Sequence, residues 1–565
     1  MSLKKEYGDF QTPDSLATRV VSLVHELFGT PETVIEPTVG LGAFLKAAAE
    51  CWGKSSYYIG YEINKTYVDH ARKCLCQFDT QIYHRDFFKE DWKHNLARTA
   101  KKRILVIGNP PWVTNSELGQ LGSRNLPDKS NFQGLRGFDA RTGKSNFDIA
   151  ESMLIRLIEA IPTDGAIAML CKTMTARKVL RHFWKNDEGR DGSRLFQIDA
   201  KASFNVAVDA CLFYVTGKRT DERAAMVYAD LDMASTSTKF GYIAGDLVSD
   251  INVYHSYKWL DGGSSLYTWR SGVKHDAANV MEFSRNGKVL INGFGEEVNI
   301  EENYVFPLVK SSDLGNGRIA IRKAVLVTQR HTGDDTSEIE YLAPKTWKYL
   351  MRHKDILYDR KSSIYRGRPI FSIFGIGPYS FAPWKVAISG LYKNMSFMVV
   401  APYGDTPVML DDTCYFIPCY SEKEANLLCE LLSSIESKAF LKSLIFTDSK
   451  RPITIDVLRR ISFVELARSL DKLDELESIV HSHSVYGSGE LQLSLLMEPK
   501  QEYRKNARTR ALRSRAGSSR LVATAYRTLI PIRRLHSSSA SALKTKRGRG
   551  KTKEKIGANK GIALS

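Results

Sequence analysis

The sequence predicts an α/β domain with a doubly wound, mostly parallel sheet, followed by a mixed α+β domain and a disordered basic tail. Short apolar runs alternate with longer helical segments over residues 31–217, and this order is typical of parallel strands in one sheet with helices on both faces. A glycine turn follows the first strand, and acidic residues end three of the strands. The alternation is lost after about residue 230.

The elements follow one another regularly along the first 217 residues. A helix is predicted over residues 13–28, ahead of the first strand at 33–36 and a helix that begins near residue 45. Apolar runs of four to eight residues bounded by turn residues are typical of buried strands. On this basis strands are predicted at 57–62, 81–84, 104–106, 166–170, 195–200 and 210–215, with a further helix at 149–160. The predicted domains are residues 1–225, 226–485 and 486–565.

Acidic side chains end three of these strands, namely Glu36, Glu62 and Asp86. In an open parallel sheet, ligands bind in the crevice outside the carboxyl ends of the strands. Glu62 is well placed to bind ribose hydroxyls, and Asp86 to accept a hydrogen bond from an adenine amino group beside a stacking Phe87. Each acid alone is typical of a solvated strand end. The hypothesis of a ligand site therefore depends on all three acids lying at the same edge of the sheet.

The turn after the first strand contains Gly40 and Gly42. Glycine lets the backbone approach a ligand closely. The pattern Gly-x-Gly is nevertheless common in turns, and it is shorter than the full Gly-x-Gly-x-x-Gly motif of dinucleotide-binding folds. Its position between a buried strand and a helix favours a cofactor loop.

Residues 109–112 read Asn-Pro-Pro-Trp, directly after a buried strand. Pro110 and Pro111 have no N–H and a fixed φ, so the turn is stiff and its carbonyls can face outward. The side-chain carbonyl of Asn109 and the carbonyl of Pro110 would accept the two protons of an NH2 group, while Trp112 offers a stacking surface. The pattern predicts a site for methylating a planar exocyclic amine. The alternative is a proline turn with a packing tryptophan.

With these motifs in this order, the chain resembles the S-adenosylmethionine-dependent DNA adenine-N6 methyltransferases of restriction–modification systems, in their gamma arrangement. Phe10-Gln11-Thr12-Pro13 resembles the N-terminal cofactor motif of that family, which precedes the loop Glu36-Pro37-x-x-Gly40-x-Gly42. The resemblance covers about residues 8–217 and implies a class I methyltransferase-like fold. The chain departs from the family in having Trp112 where Tyr or Phe is commoner, and Thr38-Val39 inside the glycine loop.

The resemblance implies a role for each matching residue. The cofactor S-adenosyl-L-methionine would be held by Phe10, Thr12, Pro13, Glu36, Pro37, Gly40, Gly42, Glu62, Asp86 and Phe87. The target adenine would be held by the catalytic residues Asn109, Pro110, Pro111 and Trp112, with Phe204 packing against the flipped base. Residues 145–148, which open the helix at 149–160, match the next family segment.

Residues 226–485 are predicted to form the target-recognition domain. Asn286-Gly287 indicates a hairpin, and residues 365–394 hold the densest mixture of aromatic and basic side chains. Arginine and lysine contact guanine edges or phosphates, and aromatic rings stack on unpaired bases, although many of these aromatic residues must belong to the core. The candidate DNA-binding residues are Arg366, Arg368, Lys385 and Lys393. A last helix is predicted over residues 463–478.

Two other segments are rich in basic residues. A polar stretch between residues 113 and 144 contains Arg124, Lys129, Arg136 and Arg141, and a loop of this length is usually functional. It is predicted to grip the DNA backbone or cover the flipped base, with a solvated insertion as the alternative. Residues 500–565 carry 19 Lys or Arg and two acids, which is +17 of the net charge of +18. This tail is predicted to be disordered, and it is either a nonspecific DNA tether or an appended segment irrelevant to catalysis.

The composition favours an intracellular, cytoplasmic enzyme. No apolar stretch approaches the ~20 residues of a membrane span, and the polar N-terminus lacks the apolar core of a signal peptide. None of the eight cysteines forms a Cys-x-x-Cys pair, and His481-x-His483 has no cysteine nearby, so no metal site is predicted.

The sequence therefore predicts a site-specific enzyme that methylates N6 of a flipped-out adenine in double-stranded DNA, as the modification component of a restriction–modification system. Flipping is required because the amine cannot be reached inside a duplex. Three alternatives stay open: an RNA methyltransferase, a protein-glutamine methyltransferase, whose amide substrate is likewise planar, and a non-catalytic DNA-binding protein on the same fold. No nuclease region is recognised, so cleavage would need a separately encoded endonuclease.

Overall fold

The computed structural model of the chain describes residues 10–98, 103–113, 148–263, 266–286, 289–319 and 321–485, without the side chains of 286 and 482–485. Within these ranges, no helix has both the length and the apolar character needed to cross a bilayer. Some predicted features lie outside the described residues: the insertion with Arg124, Lys129, Arg136 and Arg141, the family segment at 145–147, Gly287 of the hairpin, and the basic tail.

Strands and helices alternate along the first 257 residues. The helices are α1 (Asp14–Phe28), α2 (Ala43–Trp52), α3 (Lys65–Cys74), α4 (Trp92–Arg98), α5 (Ile149–Ala160), α6 (Thr173–Lys185), α7 (Ala200–Phe204) and α8 (Ile251–Tyr257). The strands are β1 (Thr33–Glu36), β2 (Tyr57–Glu62), β3 (Thr80–His84), β4 (Ile104–Gly108), β5 (Ala166–Lys172), β6 (Gly189–Arg190), β7 (Arg194–Ile198), β8 (Ala210–Thr216), β9 (Arg219–Thr220), β10 (Ala224–Tyr228), β11 (Ser237–Ile243) and β12 (Asp246–Val248).

Ten of these strands form one sheet in the order β12-β11-β10-β7-β8-β5-β4-β1-β2-β3. β1 pairs in parallel with β2 on one side and with β4 on the other, so the winding of the chain reverses between them. β8 runs antiparallel between β5 and β7. The doubly wound, mostly parallel sheet predicted from the sequence is confirmed. Its switch point lies between β1 and β4, where a ligand crevice is expected.

Successive residues of the central strands face opposite sides of the sheet. Val34 and Leu105 belong to the core that contains α1 and α2, whereas Ile35 and Val106 belong to the core that contains α5 and α6. This is the two-residue period of a strand buried on both faces. It explains why β1 and β4 read as continuous apolar runs in the sequence.

The sheet continues past residue 225, where the sequence placed a domain boundary. β10 pairs in parallel with β7, and β11 and β12 extend the sheet further in antiparallel fashion. Because these strands share one hydrogen-bonded ladder, the sheet of the N-terminal domain includes residues up to 248. These three strands have three to seven residues and follow one another without helices between them. The sequence pattern therefore assigned them to the next domain.

The C-terminal region is a mixed α+β structure, as predicted. Its helices are α9 (Ala278–Met281), α10 (Ser311–Gly315), α11 (Ile339–Leu342), α12 (Pro344–Arg352), α13 (Lys354–Tyr358), α14 (Glu422–Ser433), α15 (Ile435–Lys442), α16 (Ile455–Leu458), α17 (Phe463–Ser469) and α18 (Leu473–Val485). Its strands are β13 (Arg270–Ser271), β14 (Glu282–Asn286), β15 (Val289–Ile291), β16 (Glu297–Val298), β17 (Val305–Val309), β18 (Lys323–Leu326), β19 (Trp384–Ser389), β20 (Met398–Val400), β21 (Met409–Leu410) and β22 (Cys414–Cys419).

Two small sheets organise these strands. One contains six strands in the order β16-β15-β14-β18-β17-β21, and the other contains four in the order β13-β22-β19-β20. β14 and β15 pair antiparallel on either side of the predicted hairpin turn. The single helix predicted over 463–478 is wrong: α17 and α18 are separated by a turn in which Asp471 adopts a left-handed φ of 54°. Aspartate tolerates this conformation better than most residues. The apolar residues Leu470 and Leu473 on either side of the turn continue the helical pattern, so the sequence did not indicate a break.

A buried ion pair joins the C-terminal region to the N-terminal sheet domain. Arg177 on α6 lies 2.5 and 2.6 Å from the two carboxylate oxygens of Asp448. Its guanidinium also lies over the ring of Phe446, which contacts Phe240 of β11. Arg177 is 9% exposed, so the pair is largely shielded from solvent and fixes how the loop after α15 packs against α6.

We expect Asp448→Ala to lower the free energy of unfolding by about 1.5–2.5 kcal/mol, because a hydrogen bond to a charged group contributes about 1.5–3 kcal/mol and Arg177 would lose its carboxylate. Chemical denaturation measures this change. Asp246→Ala is the matched control. Asp246 pairs with Arg181, which lies on α6 like Arg177, but both side chains are about half exposed, so little loss of stability is expected. Equal losses in the two variants would contradict a special role for the buried pair.

Candidate functional site

Gly40 and Gly42 shape the loop that follows β1. Their φ values are 55° and 94°, a region that favours glycine because it has no Cβ. The N–H of Gly40 donates to Glu62 Oε2 at 2.9 Å, and the N–H of Leu41 donates to Gln11 Oε1 at 3.0 Å. The loop is therefore held between the end of β2 and the segment that precedes α1.

Glu36 is a buried carboxyl group at the end of β1, with 2% of its surface exposed. Its Oε2 accepts a hydrogen bond from the N–H of Leu45 at 3.3 Å. Gly108 packs closely against it, since any side chain at position 108 would place its Cβ 3.4 Å from Glu36 Cγ. Burial raises the pKa of Glu36 well above its ordinary value, and the nearby carboxylate of Glu62 raises it further. This buried acid would be stabilised in its charged form by a cationic ligand.

Asp86 and Phe87 follow β3, but they face different surroundings. Asp86 Oδ1 accepts from the N–H of Phe88 at 2.9 Å, which leaves Oδ2 without a described partner. Phe87 is 5% exposed, and its ring centroid lies 4.8 Å from that of Trp92. Most of the Phe87 ring therefore packs in the core, so it has little free surface for the adenine stacking predicted from the sequence.

The Asn109 carboxamide is held in one orientation. Its Nδ2 donates to the carbonyl of Phe10 at 2.9 Å and to Thr12 Oγ1 at 3.3 Å. Its Oδ1 is buried and has no hydrogen-bond donor among the described residues. Within the described chain, no donor to the adjacent carbonyl of Pro110 is found either. The start of the Asn-Pro-Pro-Trp turn thus presents an oriented acceptor whose hydrogen-bonding capacity is unused, which is costly unless a ligand completes it.

Three aromatic rings lie together beside this turn. The centroid of Trp112 is 5.7 Å from that of Phe10 and 5.1 Å from that of Phe204. The indole N–H of Trp112 donates to the carbonyl of Leu170 on β5 at 3.4 Å, and the residue is 4% exposed. The structure therefore brings together the predicted base-binding residues, although the Trp112 ring is packed mainly against its aromatic neighbours.

Lys172, the last residue of β5, holds the other end of the turn. Its Nζ donates to the backbone carbonyl of Trp112 at 2.8 Å and lies 3.0 Å from Asp148 Oδ2. Asp148 is 5% exposed, caps α5 by accepting from the N–H of Ala150 at 3.1 Å, and accepts from Thr175 Oγ1 at 3.3 Å. Burial raises the pKa of Asp148, and the positive charge of Lys172 opposes that effect.

Comparison with curated proteins identifies the family. The chain is 42% identical over 475 residues to the type II methyltransferase M.NspV of Nostoc sp. (strain ATCC 29411 / PCC 7524), and this match covers 82% of the chain and 98% of the relative. The chain belongs to the type II methyltransferases. No protein-family model matches it.

Solved structures resemble this chain more distantly than the curated relative does. A type IIL restriction-modification enzyme, MmeI, determined in complex with DNA, shares 15% identity at a TM-score of 0.47, over 74% of this chain and 60% of that chain. The methyltransferase subunit of a type I restriction-modification system from Streptococcus thermophilus shares 14% identity at a TM-score of 0.29, over 39% and 48% of the respective chains.

Three of the predicted DNA-binding cations of this methyltransferase are exposed, and one is not. Arg366, Arg368 and Lys393 are exposed. Lys385 is 1% exposed, and its Nζ donates to the carbonyl of Ala382 at 2.6 Å. Burial lowers the pKa of Lys385 to about 7. The prediction that Lys385 binds DNA is wrong, because the side chain of Lys385 on β19 faces the core.

Sequence reasoning missed several residues that build the site. Gln11 braces the glycine loop, Lys172 binds the turn, and Thr38 Oγ1 donates to the backbone carbonyl of Asn109 at 3.4 Å. A lysine that ends an otherwise apolar strand was the available signal for Lys172. Pro13 precedes α1 and Pro37 is buried after β1, so both serve to direct the chain. Among the described residues, no His, Cys, Asp or Glu cluster could hold a metal ion.

Proposed function

We propose that this type II methyltransferase transfers a methyl group to the N6 amine of adenine in DNA. The observation that carries the proposal is the buried Oδ1 of Asn109, which has no hydrogen-bond donor among the described residues and is oriented by hydrogen bonds from Nδ2 to Phe10 and Thr12. Together with the carbonyl of Pro110, it would accept hydrogen bonds from both N–H groups of an NH2 group on a planar ring.

The chemistry of adenine explains why two acceptors are useful. The N6 lone pair is delocalised into the ring, so the amine is a poor nucleophile. Hydrogen bonds from N6–H to Asn109 and Pro110 would favour the pyramidal amine that attacks, and they would strengthen as positive charge develops on nitrogen. The base must leave the duplex to reach these groups, and the aromatic cluster of Trp112 and Phe204 would replace part of its lost stacking.

The residues at the switch point are suited to S-adenosyl-L-methionine, which supplies an electrophilic methyl group when bound. The buried acid Glu36 is matched to a cationic ligand, and the left-handed Gly40 lets the backbone approach it. Glu62, at the end of β2, would accept hydrogen bonds from ribose hydroxyls. Asp86 keeps one carboxylate oxygen for an adenine amino group.

We expect cofactor affinity to rise with pH through the raised pKa of Glu36, because a cationic ligand favours the ionised carboxylate and binding then releases a proton. Without ligand, the stability that protonated Glu36 contributes is lost as pH rises through the same pKa. Between the pKa of Glu36 with cofactor bound and its higher pKa without cofactor, the affinity should rise about tenfold per pH unit, because binding then releases one proton. Calorimetry in buffers of different ionisation enthalpy measures the proton release. Glu36→Gln should flatten the profile, and a variant that keeps the full pH dependence would contradict this role.

The exposed Arg366 and Arg368 are proposed to contact DNA. Their loop is organised from beneath by Arg360, whose guanidinium donates to the carbonyls of Leu357, Ile370 and Ser372 at 2.7–2.8 Å. No ion pair or hydrogen bond of either exposed side chain is found within the described chain, so both remain available for an anionic partner. A loop that is already held by hydrogen bonds is suited to recognition, because less conformational entropy is lost when it binds.

Replacing Arg366 or Arg368 with alanine is expected to cost about 1–3 kcal/mol of DNA binding and to relax discrimination at one base pair, if that arginine reads a base. A phosphate contact would instead weaken binding to all sequences alike. Sequencing of methylated DNA from cells that express each variant measures the motif and its stringency. Lys385→Met is the matched control, because its buried amine cannot reach DNA. If both arginine variants keep the parental motif, rate and salt dependence, the interface lies elsewhere.

Methylation-sensitive sequencing of DNA from cells that express the wild-type chain tests the proposed function directly, since it reports the modified base and its context together. N6-methyladenine in one recurrent motif is the expected result. DNA without any added methylation, or with a modified base other than N6-methyladenine, would overturn the proposal. The role as the modification partner of a separate endonuclease is part of the same proposal, and protection of the methylated motif from cleavage would test it.

A further inference from the structure

We propose that Lys172 is a positioning residue for methyl transfer, which fixes the catalytic turn through the backbone carbonyl of Trp112. The inference rests on the proposed function of Asn109 and Pro110 in the same turn. Lys172 does not belong to the predicted site, and it touches neither of those two acceptors in the described structure.

The turn is held at several points, and among the described residues one of these ties is ionic. Asn109 is tied to the segment before α1 through its side chain and to Thr38 through its carbonyl. The indole of Trp112 is tied to β5, and the N–H of Ile149 donates to the carbonyl of Val113 at 3.0 Å. The remaining tie is the ammonium of Lys172. Because Pro110 and Pro111 have no N–H, they cannot donate a backbone hydrogen bond to the sheet. The orientation of the Pro110 carbonyl therefore depends on these flanking ties.

Asp148 gives the ammonium a fixed direction. It is held by α5 and by Thr175 of α6, so the ion pair connects the turn to two helices as well as to β5. Both side chains are mostly shielded, with exposures of 22% for Lys172 and 7% for Asp148, and shielding strengthens such an interaction. Lys172 thus controls the placement of groups that must lie within a fraction of an ångström of their reacting geometry.

Lys172→Met removes the three N–H donors and keeps the length of the side chain. We expect its single-turnover rate constant for methylation to fall about 10- to 100-fold, because a misplacement of about 1 Å can cost about 100-fold. The dissociation constants of S-adenosyl-L-methionine and of the DNA should change less than about twofold. Lys172→Arg, which keeps donors, should recover part of the rate.

Two further variants separate positioning from folding. Lys172→Met with Asp148→Asn removes the unpaired carboxylate, so thermal stability should recover while the rate constant stays low. Lys178→Met is the matched control, because Lys178 lies on α6, the helix that follows Lys172 directly, and pairs with Glu151 at 3.7 Å but does not touch the turn. It should leave the rate unchanged.

The outcomes are distinct. A lower burst amplitude with a normal rate constant would mean that Lys172 only keeps molecules folded, and it would overturn the inference. Weaker binding of cofactor or DNA with a normal rate constant would indicate direct contact and would also overturn it. If the wild-type enzyme itself does not methylate adenine, the proposed function has failed, whereas a normal rate in Lys172→Met on an active wild-type background refutes the positioning role alone.

Discussion

Asn109→Ala is expected to lower the rate of adenine methylation at least about 100-fold while leaving the affinity for S-adenosyl-L-methionine within about twofold of the wild type. The variant loses the oriented Oδ1 that would accept a proton of N6, and the loss of one preorganised hydrogen-bonding group at a developing charge costs about 100- to 1000-fold in rate. Single-turnover methylation of a DNA duplex, together with calorimetric titration of the cofactor, measures both quantities.

A control is needed because Asn109 also ties the turn to Phe10 and Thr12. Thr12→Val removes one of the two acceptors that orient Nδ2 and leaves Oδ1 in place, so only a few-fold loss of rate is expected. If Thr12→Val is as inactive as Asn109→Ala, the loss comes from a misplaced turn and not from the missing acceptor. Full activity in Asn109→Ala would refute the assigned mechanism.

The second large effect is expected at the cofactor site, where Glu62→Ala should weaken S-adenosyl-L-methionine binding about 100-fold, or about 2.7 kcal/mol. Glu62 accepts from the N–H of Gly40 at 2.9 Å and from the N–H of Asn64 at 2.8 Å. The substitution removes a brace of the glycine loop and the proposed acceptor for ribose hydroxyls at the same time. Calorimetric titration of the cofactor measures the change.

Glu62→Gln separates the two contributions, because it keeps one acceptor oxygen while losing the charge. An intermediate affinity is expected. Asp69→Ala serves as the matched control: this carboxylate lies on α3, directly after β2, but it is exposed and pairs with Lys65. An unchanged dissociation constant in Glu62→Ala would contradict the location of the cofactor at the switch point.

Much of the candidate site could be singled out from the sequence because its signals are local along the chain. The burial of β1 and β4 on both faces requires continuous apolar runs, and a ligand-binding turn that follows such a strand stands out by its glycines or prolines. For this reason Gly40, Gly42, Asn109 and the acids at the strand ends could be singled out. Long-range packing was not predictable: the aromatic group of Phe10, Trp112 and Phe204 joins residues almost 200 positions apart.

Errors occurred where side-chain direction or backbone pairing decided the outcome. Lys385 was predicted to bind DNA because aromatic and basic residues surround it in sequence. Its side chain, however, is buried on the inner face of β19. The domain boundary at 225 missed β10 to β12, because the pairing of β10 with β7 depends on strands about 30 residues apart. The break between α17 and α18 depends on one left-handed aspartate.

The sequence by itself determined the doubly wound sheet and the composition of the crevice, because both follow from apolar periodicity and from residue types at strand ends. The tertiary structure decided which atoms in that crevice remain available. Only the packed structure reveals that Phe10 and Thr12 accept the hydrogen bonds of Asn109 Nδ2 and that no described residue donates to its Oδ1. It also reveals that Lys172 holds the far end of the turn. Hydrogen-bond saturation depends on distance and direction between distant segments, and neither is encoded in the order of residues along one strand.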